Sequence, residues 1–178
     1  MATATARTGR TASPAGQGAY ADALLHLAAL SIVAGAIHAV VAPPHFAEAW
    51  AYGTFFVVLA AFQLAWAVWI YGRPSIAGFR IGAAVNVAVI GVWIVSRTTG
   101  MPFGPEPWQA ESVGALDLAA TAAEALIAVL CAAFLAGVSS RPSARWLPAS
   151  FRGLHPVAMA VMFCGLLSLL LGGGHHAS

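Results

Sequence analysis

The sequence predicts an all-α membrane protein, a polytopic bundle of five transmembrane helices. Of its 178 residues, 60% are hydrophobic and 8% are charged, whereas a soluble domain carries roughly 25% charged residues. A chain with so few charges cannot cover a water-facing surface, so its solvent is largely lipid. The chain contains several apolar runs, and each is close to the length of about 20 residues that a helix needs to cross a bilayer.

Five apolar runs justify the five helices in order, with polar segments between them. The predicted spans are residues 20–41, 51–71, 79–96, 113–138 and 155–171. The first 19 residues are rich in Ala, Thr, Gly and Ser and cannot bury a core, which predicts a disordered cytoplasmic tail. The membrane domain is expected over residues 20–172, followed by a polar outer tail over 173–178.

Prolines set two of the predicted helix boundaries. Pro43 and Pro44 suit the first turn of a helix, so the second helix is predicted to begin directly after them. Pro102, Pro105 and Pro107 follow one another too closely for a helix to continue. They predict a compact loop between the third and fourth spans.

The arginines predict the orientation. The chain has no lysine, so its eight basic side chains are all arginines. Seven of them fall in the N-terminal tail, after the second span and after the fourth, and only Arg97 falls in the other loops. By the positive-inside rule, the N-terminus is cytoplasmic and the C-terminus is outside. The predicted location is the plasma membrane.

Each of the first four spans carries polar residues on one face. Positions seven apart nearly coincide in angle around a helix. The four predicted stripes are Ser31 and His38; His45, Glu48, Tyr52, Phe56, Leu59 and Gln63; Asn86, Trp93 and Arg97; and Asp117, Thr121 and Glu124. Because polar groups in a membrane usually face the bundle interior or a wet cavity, these stripes predict an outward-facing cavity.

Two kinds of site are predicted in this cavity. A ligand or proton pathway is expected to use Arg97, Asp117, Glu124, Gln63, Asn86 and Tyr52. A metal site is expected to use His38, His45 and Glu48, with Asp117 and Glu124 as further ligands, because imidazole nitrogen and carboxylate oxygen suit zinc, iron or manganese. Haem held between His26 and His155 is an alternative cofactor.

The leading functional hypothesis is binding or conduction of a small cation or proton, with a redox-active metal as one form of it. The alternative is a non-catalytic accessory or scaffolding subunit. Its polar residues would only join helices, with Arg97 paired to Asp117 and Glu124 bonded to Gln63 or Asn86. The expected partners are the lipid bilayer, the cation or proton, and a second copy or a larger membrane complex.

Other function classes find no support in the sequence. Nucleic-acid binding is excluded, because no basic stripe is present. Hydrolase and nucleotide-binding motifs are missing, and enzymatic activity is left open.

Overall fold

The computed structural model describes residues 14–140, which form four long helices. They are α1 (Pro14–Glu48), α2 (Trp50–Gly72), α3 (Ile76–Thr98) and α4 (Ala115–Ser140). Each contains a segment long and apolar enough to cross a membrane. The described part of the chain is therefore all-helical, and each of the first four predicted spans has a helix of suitable length and composition. The fifth predicted span, residues 155–171, lies outside the described residues.

Consecutive helices run antiparallel, so the bundle has two distinct ends. The tail end carries the start of α1, the turn between α2 and α3, and the end of α4. The loop end carries the break at Ala49 and the loop of residues 99–114. α1 packs between α2 and α4, and α3 packs on α4, whereas α2 and α3 share the least contact of the neighbouring pairs.

The main hydrophobic core fills the tail half of the bundle. It includes Leu27, Trp66 and Ile127, all 1% exposed or less. The Trp66 indole lies against Gly82, and its N–H donates to the carbonyl of Gly78 at 2.9 Å. The loop half holds only a smaller buried cluster among the described residues, which leaves space there between the helices.

The predicted boundary at Pro43 and Pro44 is wrong, because α1 continues through both prolines to Glu48. The chain breaks at Ala49, whose backbone is extended, and α2 begins at Trp50. Each proline removes one donor from the helix, but a membrane helix tolerates such a loss where neighbouring groups bond the backbone. The carbonyls that lose a donor are those of Ala39 and Val40, four residues before the prolines. Beside them, His45 Nδ1 donates to the carbonyl of Val41 at 2.7 Å. At its other end, α1 begins at Pro14, inside the predicted tail.

The loop of residues 99–114 is compact and bonded to the helices beside it. Gly100 and Trp108 have positive φ angles of 75° and 62°, which turn the chain sharply. The backbone N–H of Trp108 donates to Met101, and that of Glu111 donates to the Ser96 carbonyl at 2.9 Å. The loop therefore lies over the loop end of the bundle as a folded element.

Candidate functional site

A cavity of about 320 Å³ occupies the loop half of the bundle. All four helices and the loop of residues 99–114 contribute to its walls, among them Ile37 of α1, Ala51 of α2, Val89 of α3 and Ala120 of α4. The volume is at the lower end of the range of roughly 300–1,000 Å³ typical of small-molecule sites. Most of the wall is apolar, with polar groups at two places.

The deeper polar group is a pair formed by His38 of α1 and Glu124 of α4. His38 Nε2 lies 2.9 Å from Glu124 Oε1. The two residues are 4% and 1% exposed, so both are buried. Both also line the cavity. A buried carboxyl group is costly unless it shares a proton with a partner or pairs with a positive charge, and His38 supplies that partner.

The outer polar group is centred on Arg97 at the end of α3. Its Nη2 donates to Asp117 Oδ2 on α4 at 2.7 Å, and its Nη1 donates to Glu111 in the loop. Asp117 Oδ2 also accepts the backbone N–H of Gly114 at 2.9 Å, which caps the start of α4. One guanidinium thus joins α3, α4 and the loop at the mouth of the cavity.

Two N–H donors on the α3 wall have no acceptor among the described residues. They are Nε1 of Trp93 and Nε of Arg97, and both atoms are buried. A buried donor without a partner costs about 1–3 kcal/mol. This wall of the cavity is therefore polar in part and incompletely bonded.

Aromatic rings form much of the remaining wall. They belong to Tyr52, Phe55, Phe56, Trp93 and Phe103. The ring of Phe56 lies 4.3 Å from that of His45 and 5.8 Å from that of His38, centroid to centroid. The Tyr52 hydroxyl donates to the carbonyl of Phe103, so α2 is also joined to the loop.

The exposure of the lining residues locates two openings. Glu111 in the loop has a side chain 43% exposed, which marks the polar mouth. On the side of the bundle, Phe55 of α2 and Val92 of α3 line the cavity and are 38% and 37% exposed. They lie on the two helices of the weakly packed α2–α3 seam, so the cavity also reaches the outer side of the bundle there.

Charges around the cavity do not balance. Three carboxyl groups line it, those of Glu111, Asp117 and Glu124, against the single guanidinium of Arg97. With neutral histidines the lining is negative. In a medium of low dielectric constant, such an excess is stabilised by a bound proton or cation.

The predicted pathway residues divide into two groups. Arg97, Asp117, Glu124 and Tyr52 line the cavity. Gln63 and Asn86 lie in a separate buried network nearer the middle of the bundle, where Gln63 Nε2 donates to Asn86 Oδ1 at 3.0 Å.

That network joins three helices. The Ser31 hydroxyl lies 2.8 Å from the backbone oxygen of Gln63 and 2.5 Å from its Oε1. Asn86 Nδ2 donates to the carbonyl of Gly82 at 2.8 Å. These contacts connect α1, α2 and α3, and neither Gln63 nor Asn86 lines the cavity.

The predicted metal ligands are not gathered at one point. His38 and His45 line the cavity, but Glu48 is exposed at the end of α1 and lies outside the lining. The break at Ala49 ends the stripe that was predicted to continue from Glu48 into Tyr52. Within residues 14–140, no three His, Cys, Asp or Glu side chains form a group able to hold a metal ion.

Of the two predicted haem ligands, only His26 lies within the described part of the chain. His26 lies towards the tail end of α1, where its Nδ1 donates to the carbonyl of Asp22 at 2.5 Å. It does not line the cavity. Its predicted partner, His155, lies outside the described residues.

Sequence reasoning missed several residues of the cavity. Glu111 was not predicted as a site residue, because a loop offers no helical face from which to place it. Trp93 lay on the predicted stripe with Arg97 but received no role. Phe56 likewise lay on the predicted stripe with Tyr52 but received no role. Phe55 and Phe103 are ordinary residues for a membrane protein, so no sequence pattern distinguishes them as cavity walls.

Comparison with known proteins gave no matching family model, no similar curated protein and no similar solved structure.

Proposed function

We propose that this chain is a multi-pass membrane protein that binds a small cation in exchange for a proton at the His38–Glu124 pair. The main support for this proposal is that the buried pair, with its 2.9 Å contact, forms part of the wall of a cavity that opens to the surface. A buried ionisable pair in a membrane bundle that also borders open space is typical of ion and proton sites.

The chemistry of the pair permits the exchange. In its protonated form, either the Glu124 carboxyl donates to neutral His38, or protonated His38 donates to the carboxylate. Release of that one proton leaves one added negative charge in the wall. A monovalent cation entering the cavity restores the charge, so proton release and cation binding are coupled.

The orientation belongs to the same proposal. Arg73 and Arg80 lie near the tail end of the bundle, whereas Arg97 lies at the loop end and is paired with two acids. With the arginine-rich tail end in the cytoplasm, the cavity mouth faces outward from the plasma membrane. A fifth span over residues 155–171 then places the C-terminus outside, and a second copy of the chain is the expected partner.

Infrared difference spectroscopy across a pH titration tests the proton exchange. The detergent-purified full-length protein should show a carboxyl or carboxylate band that changes with pH and shifts in deuterium oxide. Glu124→Gln should lack that band. Glu48→Gln, which removes an exposed carboxyl outside the cavity, should retain it.

Identical pH difference spectra for the unaltered protein and Glu124→Gln would show that Glu124 exchanges no proton, and the proposal would then be wrong. Thermal unfolding of both variants in the same detergent checks that they are folded.

A scaffolding role is the second candidate, and one observation favours it. The bonds among Ser31, Gln63 and Asn86 join helices without bordering the cavity. If the His38–Glu124 pair also serves only to join helices, Glu124→Gln should lower the melting temperature. The pH difference spectrum of the unaltered protein should then carry no Glu124 band.

A further inference from the structure

We infer the chemical class of the cation that binds in the cavity, and this inference rests on the proposed function. The cation is an organic ammonium ion with an apolar body, which reaches the cavity from the lipid through the seam between α2 and α3. Three independent features of the cavity carry this inference: its aromatic walls, the state of its carboxyl groups and the position of its lateral opening.

The aromatic walls suit an organic cation. Tyr52 and Phe56 of α2 and Trp93 of the neighbouring α3 line the cavity, and Phe103 adds a ring from the loop. The faces of aromatic rings attract ammonium groups, and cages of such rings are a known way to bind quaternary ammonium ions. An apolar body on the cation would contact the aliphatic and aromatic wall in the rest of the space.

The carboxyl groups of the lining are already engaged. Asp117 and Glu111 accept from Arg97, and Glu124 is paired with His38. A bare metal ion needs several oxygen or nitrogen ligands in direct contact. A quaternary ammonium ion needs none, because negative charge near the site and ring faces around it are sufficient. The net negative lining also disfavours an anion.

The lateral opening suits a molecule dissolved in the membrane. Phe55 and Val92 line the cavity and also face outwards on either side of the α2–α3 seam. A cation with an apolar body concentrates in the bilayer, so it reaches this opening directly. The polar mouth beside Glu111 then serves for release of the proton to water.

Three small probes of similar size separate charge from shape. Benzyltrimethylammonium carries the positive charge, neopentylbenzene is its neutral isostere, and benzenesulfonate is anionic. Binding to the detergent-purified full-length protein is measured by tryptophan fluorescence and calorimetry, with proton release followed by a pH dye. We expect saturable binding of benzyltrimethylammonium with release of a proton, and at least tenfold weaker binding of the other two probes.

Two pairs of variants locate the binding. Glu124→Gln should weaken benzyltrimethylammonium binding by about tenfold or more, because it removes the charge that the cation balances, whereas Glu48→Gln should leave it unchanged. Phe56→Leu should weaken it by about two- to fivefold, the range of an exposed cation–π contact. The matched control is Phe46→Leu, because Phe46 is 46% exposed and lies outside the lining.

Equal binding of the ammonium ion and its neutral isostere would overturn the inference. So would equal effects of Glu124→Gln and Glu48→Gln on binding. If the infrared titration shows exchange at Glu124 but no ammonium ion binds, the proposed proton exchange stands and the ligand class is wrong. If sodium or zinc ions instead release the proton, the cation is inorganic and the inference also fails.

Discussion

Gly82 of α3 carries no side chain at a position where the Trp66 indole lies against its Cα. A Cβ at this position would overlap the ring of Trp66. The ring is buried and its N–H is bonded to Gly78, so it has little freedom to move aside. Close contact of α2 and α3 in the tail half therefore depends on this glycine.

Gly82→Ala should lower the free energy of unfolding by about 1–3 kcal/mol, the usual cost of overpacking. Gly91→Ala is the matched control on the same helix, because nothing lies within 4 Å of its added Cβ. Alanine is the better helix former by roughly 0.5–1 kcal/mol, so this variant should be as stable as the unaltered protein or more so. Denaturant unfolding in detergent measures both, and equal losses would contradict the packing argument.

Individual side chains also show how far sequence reasoning reaches. The bond between Arg97 and Asp117 was predicted, since opposite charges at the same end of neighbouring helices attract. Under the scaffolding alternative the partner of Glu124 was predicted as Gln63 or Asn86, whereas it is His38, which the metal-site prediction had placed in the same cavity as Glu124. The angular position of a residue on its own helix says nothing about which other helix that face meets, so the partner could not be derived.

At the scale of elements, the loop of residues 99–114 is bonded to the helices at several points. Arg97 donates to Glu111 in the loop and to Asp117 on α4. The Glu111 N–H donates to Ser96, and Tyr52 bonds the loop from α2. The charged contacts of Arg97 are partly exposed, so each contributes modestly, but together they hold the loop against the bundle.

Arg97→Gln should raise hydrogen exchange across residues 99–114, because a neutral amide cannot replace a guanidinium bonded to two carboxylates. Backbone exchange in α1 should be unchanged. Arg80→Gln removes an exposed arginine near the other end of α3 and serves as the control. Exchange followed by mass spectrometry measures this, and unchanged loop protection in Arg97→Gln would contradict the assigned role.

Helix boundaries were predicted well where composition changes sharply and poorly at the paired prolines. The start of α3 follows the Gly72–Ser75 turn, where Ser75 accepts the N–H of Gly78 at 3.1 Å. The continuation of α1 through Pro43 and Pro44 depends instead on tertiary contacts, such as the packing of His45 on Phe56. The helix preferences of the residues around the two prolines could not have predicted this continuation.

On the scale of the whole molecule, the predicted orientation has a direct test. Gln109 lies in the exposed loop at one end, and Gly72 is the exposed last residue of α2 at the other. In a background with Cys131 and Cys164 replaced by alanine, Gln109→Cys should react with a membrane-impermeant maleimide on intact cells. Gly72→Cys should react only after the membrane is opened. The reverse pattern would contradict the proposed orientation.

The number and approximate positions of the described apolar helices followed from hydrophobicity, because a helix needs about 20 apolar residues to cross a bilayer. The length of α1 did not, since it continues to Glu48. The cavity was predicted in outline, in the half of the bundle where it lies. Its shape was not predictable, since it results from the weak packing of α2 on α3 and from the loop that covers it. Both depend on how complete helices fit together.

The loop bonds to both sides of the loose α2–α3 joint, through Tyr52 on one helix and Arg97 on the other. It therefore connects the two helices across that joint. Under the proposed function, a ligand larger than the cavity of about 320 Å³ has to separate α2 from α3. Such a ligand should break one of these two contacts and raise hydrogen exchange in the loop.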